Sequence, residues 1–217
     1  MFTSKNPGIA LLTGSFLLTV TMVLHPAGGS FEHLLKATTM IVISHAIAII
    51  AMPVCYVGFK GLYQSLGHKK LLSKMAMAFS MFGLTAGMLA AAINGLTLPI
   101  FINGFADADA EMVETLKPIL KYGMSLNHAF DYILIGMFCI SVLLWSIEMV
   151  KTKQLSVWLG YFGIVLTVAA VVMLISGFVF VNLYGFRVFV FGLVAWIVWG
   201  GVTLIKRTEP ENIKSKL

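Results

Sequence analysis

The sequence predicts an all-α polytopic membrane protein, one six-transmembrane-helix bundle over 1–217 with both termini cytoplasmic. Three observations predict it. Hydrophobic residues make up 59% of the 217 residues and charged residues only 11%, against about a quarter in soluble domains. Apolar stretches recur from end to end, long enough for the roughly 20 residues that cross a hydrocarbon layer, so no separate aqueous domain has room. The charges gather between these stretches and alternate in sign from one side to the other, as membrane orientation requires. The net charge of +6 therefore marks orientation, and nucleic acid is not an expected partner. The lipid bilayer is the expected partner, a quinone or another redox partner is compatible with it, and the oligomeric state stays open.

The first helix is expected over 7–25. Lys5 precedes an apolar run from Gly8 to Leu24 that is long for a signal-peptide core and lacks a clean small-x-small site after it. It reads as a retained helix, stopped by Pro26, Gly28 and Gly29. The second and third helices are expected over 37–64 and 72–102, with Pro53 and Pro99 kinking them. The third carries Gly83 and Gly87 in G-x-x-x-G spacing, which lets helices approach closely. The segment from Asp107 to Glu114 reads as a short acidic loop, amphipathic or irregular. The fourth helix is expected over 118–149, with Pro118 in its first turn, where a missing N–H costs nothing. The fifth and sixth are expected over 155–182 and 186–206.

Loop charge orients the bundle. Lys60, His68, Lys69, Lys70 and Lys74 make one connection basic. Lys151 and Lys153 make another, and the tail adds Lys206, Arg207, Lys214 and Lys216. The opposite connections carry Glu32, Asp107, Asp109, Glu111 and Glu114. Positive residues stay inside, so both ends of the chain are expected in the cytoplasm. Trp145, Trp158, Tyr63 and Tyr161 are expected to form an aromatic belt at the inner interface. Cys55 and Cys139 lie in apolar runs without metal-ligand spacing and read as small buried side chains.

The candidate site comes from polar groups inside the apolar runs. At 1.5 Å per residue, His45 falls about 13 Å below the outer boundary, Asn94 about 13 Å and His128 about 10 Å. Three helices thus place polar side chains at one level. Asp131 and Tyr132 share the face of His128, and Ser44 and Asn127 stand where they can fix a ring tautomer. An ionisable group at such depth marks a site unless neighbours satisfy it.

Three occupants are consistent with this layer. Neutral imidazole ligates haem iron, zinc and copper, and two histidines from different helices can clamp haem b between them. His45 and His128 are the expected axial ligands, with Asn94 beside them. Lys117, Lys121 and Arg187 at the outer end are the expected propionate partners. Met52 and Met124, on the faces of the two histidines, are alternative axial ligands. The second occupant is a divalent zinc, copper or iron ion on His45, His128 and Asp131, with His25 near the outer end, serving intramembrane hydrolysis or metal transport. The third is no cofactor, only interhelical hydrogen bonds in a scaffold. His25 and His33 read first as solvated loop histidines, and His68 as a solvated one among lysines. No nucleophile elbow, H-E-x-x-H or phosphate loop is present.

Three short stretches carry a resemblance: His25-Pro26, Ser44-His45, and the run from Trp158 to Gly163. In these the chain resembles six-span bacterial inner-membrane proteins of unassigned activity, which implies residence in a bacterial cytoplasmic membrane and no reaction. It is more loosely similar to transmembrane b-type cytochromes. Those carry histidine pairs at both membrane faces, and this chain has no inner pair, so the resemblance implies at most one haem near the outer face.

Overall fold

A computed structural model describes residues 5–214, with side chains as far as Arg207. Six helices are long and apolar enough to cross a membrane, and no strand occurs among the described residues. We label them α1 (Asn6–Leu24), α2 (Phe31–Gly67), α3 (Leu71–Asn103), α4 (Ala110–Thr152), α5 (Val157–Ile175) and α6 (Leu183–Lys214). Consecutive helices pack side by side from α1 to α5, and α6 closes the ring between α5 and α1. The side chain of Lys214, and Lys216 altogether, lie outside the described residues.

Two helices start earlier than the apolar pattern predicts, and each has a cap that explains it. The Ser30 hydroxyl accepts from the His33 N–H at 3.3 Å and starts α2 at Phe31 instead of 37. Asp109 Oδ1 accepts from the Met112 N–H at 2.8 Å and starts α4 at Ala110, with Glu111 in the first turn. Both satisfy donors orphaned at a helix start. Asp107–Glu114 is therefore partly helix, and Pro118 lies inside α4 instead of in its first turn. The extra turns carry charge (Glu114 pairs with Lys117) and are mostly exposed, so they extend α4 past its apolar span.

The fifth helix is shorter than expected. It ends at Ile175 because Gly177 takes φ +84°, a backbone state glycine reaches without strain, and the Phe178 N–H bonds back to the Met173 carbonyl at 2.9 Å. Only 22% of the α5 span window is buried, against 39–50% in the other five, so α5 sits on the rim and shows its valines outward.

Proline acts differently in α3 than a simple kink. Pro99 has no N–H for the Gly95 carbonyl and its ring crowds that turn. The helix widens there into a π-helical turn, Ile93–Thr97, with the Leu98 N–H bonded to the Ile93 carbonyl. This turn sets Gly95 against His45.

Helices already in lipid associate by close packing more than by the hydrophobic effect. The pair Gly83 and Gly87 does this for α3. A Cβ on Gly87 would stand 2.8 Å from Leu134 and 2.9 Å from Met52, so α2, α3 and α4 meet there. Trp145 is fully buried, stacked on Phe59 at 5.4 Å and on Trp196 at 6.1 Å. It belongs to the core and leaves the expected aromatic belt, because α4 turns it toward α2 and α6. Trp158 and Tyr161 remain exposed, edge to face at 6.0 Å.

Candidate binding cavity

The ring of helices surrounds a cavity of about 430 Å³, lined by α1, α2, α3, α4 and α6 and by the α1–α2 and α5–α6 connections. We call its mouth the end lined by Gly28, Gly29 and Asn182 of these connections and by Met124 of α4. From His45 it descends α2 to a floor at Phe59 and Phe138, a depth of about 20 Å. Its polar lining residues gather toward the mouth, and apolar side chains line the part below.

The polar level contains His25, His45, Asn94, Asn127, His128 and Asp131, so the residues predicted from depth do converge on one space. The His45 Nδ1–H donates to the Ile41 carbonyl at 2.7 Å and lies 3.2 Å from Ser44 Oγ, itself bonded to that carbonyl. A carbonyl only accepts, so Nδ1 carries the hydrogen and Nε2 keeps a bare lone pair. Gly95 makes this placement possible, since any Cβ there would collide with the His45 side chain.

His25 differs from its sequence reading as a solvated loop residue. It caps α1, lines the cavity, and its ring lies 4.8 Å from that of His45. Its Nδ1–H donates to the Pro26 carbonyl at 2.9 Å, again leaving Nε2 bare. Burial, with help from the Arg187 charge, holds the ring below the ordinary histidine range. His33 donates instead to the Ala27 carbonyl at 3.2 Å within its loop.

Asp131 is buried, and one carboxylate oxygen accepts from Asn127 Nδ2 at 2.8 Å. Asn127 therefore holds Asp131 and no imidazole, and no hydrogen bond joins Asp131 to His128 or Tyr132 among the described residues. His128 and Asn94 have no side-chain hydrogen-bond partner among those residues. Thr21 was not foreseen from sequence. It is buried on the cavity wall with its hydroxyl unpartnered, and its place one turn before His25 was the available signal.

The expected outer cations are elsewhere. Arg187 donates from Nη2 to the His25 carbonyl at 3.0 Å and from Nε to the Met22 carbonyl at 3.2 Å, closing the end of α1. Lys121 is exposed two turns above His128, and neither residue lines the cavity. His45, His128, Asp131 and His25 all line this cavity, and no group of three histidine, cysteine or acidic side chains able to hold one metal ion occurs among the described residues.

Fold and cavity together define a class: a six-helix bundle of membrane-crossing dimensions around an internal space with a polar head and an apolar shaft. No protein-family model, curated protein or solved structure matches the chain.

Proposed function

We propose that the chain is an integral protein of a bacterial cytoplasmic membrane, both termini inside, whose cavity binds a single-chain amphiphile. The hydrocarbon chain occupies the shaft down to Phe59 and Phe138, and the headgroup sits among His25, His45, Asn94, His128 and Asp131. One observation carries this reading: a bore about 20 Å deep with every polar lining residue toward its outer part and apolar walls below. Ligand sites combine apolar walls with a few convergent polar groups in this way. Basic residues at the α2–α3 and α4–α5 connections support the orientation.

The test is binding across a series of one headgroup on chains of increasing length, to the protein in nanodiscs. Affinity should rise with length and level off where the chain fills the shaft. Affinity independent of length would overturn the reading.

Haem b is the second reading, favoured by the His45 tautomer, because an Nδ1–H tied to a carbonyl is how protein-bound imidazole ligands are oriented. The rest of the cavity fits haem poorly. No lysine or arginine lines it to neutralise two propionates, and Asp131 adds a carboxyl to its wall. A Soret band in the purified protein, shifting on dithionite and lost in His45→Ala or His128→Ala, would restore this reading. A colourless protein with stoichiometric zinc or copper would favour the ion.

A further inference from the structure

The groups facing the cavity have a shared bias. His45 and His25 each spend their only N–H on a backbone carbonyl, at 2.7 and 2.9 Å, and each retains a bare Nε2. Asp131 spends one oxygen on Asn127 and retains the other. Three acceptors from three helix regions are left over at one level. The hydroxyl of Thr21, Asn94 and His128 have no hydrogen-bond partner among the described residues either, and these can adapt as donor or acceptor. Thr21 carries particular weight. It is 2% exposed, and a buried hydroxyl without a partner is costly unless something in the cavity supplies one.

Charge narrows the choice. No lysine or arginine lines the cavity, which disfavours a phosphate or carboxylate head. The Arg187 guanidinium, though not itself on the cavity wall, is bonded to the carbonyls of two lining residues, Met22 and His25, which disfavours an ammonium head.

We infer that the head bound here is uncharged and hydroxyl-bearing, donating two O–H hydrogens among three acceptors, Nε2 of His45, Nε2 of His25 and the free oxygen of Asp131. The inference rests on the chain-binding reading above. Two sources offer this chemistry, a lipid hydroquinone and a glyceride, and the experiment separates them.

Four probes with one dodecyl chain are bound to the full-length protein in nanodiscs: dodecyl hydroquinone, its O,O-dimethyl ether, monododecylglycerol and dodecyl phosphate. The hydroquinone or the glyceryl probe should bind at least about tenfold more tightly than the dimethyl ether, equal to about 1.4 kcal/mol. The tighter of these two should also exceed the phosphate. His45→Leu should pull the ratio of hydroxyl probe to ether toward one, and Asp131→Asn gives a second variant should the first fail to fold. Tighter binding of the hydroquinone assigns a lipid quinol, and of the glyceryl probe a glyceride; either supports the inference. Equal binding of the hydroxyl probes and the ether overturns the head assignment and leaves the chain reading standing. So does phosphate binding as tightly as the hydroxyl probes. No binding by any probe overturns both.

Discussion

The imidazole rings of His25 and His45 lie 4.8 Å apart, tilted by 56°, although one caps α1 and the other is inside α2. Each ring gives its N–H to a nearby carbonyl, so the contact is between two neutral rings, not a shared proton. The end of α1 is thereby fastened over the polar part of the cavity, and Arg187 fastens it from above through the Met22 and His25 carbonyls.

That pairing predicts acid sensitivity. His25 is held below the ordinary histidine value of 6.5, first by burial and then by the Arg187 charge, against a raising effect of its bond to Pro26. The unfolded chain binds the proton more readily than the folded one. Stability is undiminished above about pH 6.5 and falls as pH drops from there through the lowered folded value. Thermal unfolding in detergent across that range should show a falling midpoint, with a shallower slope in His25→Gln. Equal slopes would show that His25 is not responsible.

Gly95→Ala should damage the site while improving local helix propensity. The propensity gain is about 1 kcal/mol. The new Cβ would collide with the His45 side chain, and overpacking of that kind costs about 1–3 kcal/mol. The expected result is a lower melting midpoint together with weaker binding of the dodecyl hydroquinone. A stabilised variant with unchanged binding would mean that His45 has room to move.

Arg187→Met should loosen the mouth. It removes two charge-assisted hydrogen bonds to the end of α1, worth about 1–3 kcal/mol together at a half-buried site. Amide exchange should speed up in the last turn of α1 and leave α4 unchanged. Equal protection of the α1 end in both proteins would remove the capping role.

Much of this was legible in the chain. The six spans follow from apolar length alone, and the shared level of His45, Asn94, His128 and Asp131 follows from helical rise. The starts of α2 and α4 were also written there, as Ser30 and Asp109, but apolar counting passes over caps because they lie outside the hydrophobic run. The place of His25 was not legible. Nothing local distinguishes a solvated loop histidine from one pressed on a ring of another helix, since the difference is made by α6 and α2 closing over it. Trp145 shows the same limit: an aromatic near a helix end reads as interfacial until Phe59 and Trp196 are seen on either side.

Lys70→Met tests a link between the α2–α3 connection and the end of α4. Lys70 Nζ lies 2.8 Å from Glu148 Oε1, with the Glu148 side chain 7% and the Lys70 side chain 37% exposed. Removing the lysine leaves a buried carboxylate unpaired. The full penalty for a buried pair is about 3–5 kcal/mol, and partial exposure of Lys70 reduces the expected loss to about 1–2 kcal/mol. Lys70→Met with Glu148→Gln should recover part of that loss. A double variant no more stable than Lys70→Met would mean that the pair is not coupled.

The same connection tests the proposed orientation. His68, Lys69 and Lys70 lie between α2 and α3, while Asp107 and Asp109 lie between α3 and α4, so the two connections are at opposite ends of one span. Basic residues remain on the cytoplasmic side. In intact cells an impermeant maleimide should label Asp107→Cys and should reach His68→Cys only after permeabilisation. Cys55 is buried and Cys139 half-buried, so the native thiols give little background. Labelling of His68→Cys in unbroken cells would invert the bundle. The polar level of the cavity would then open toward the cytoplasm, and its ligand would have to be sought in the inner leaflet.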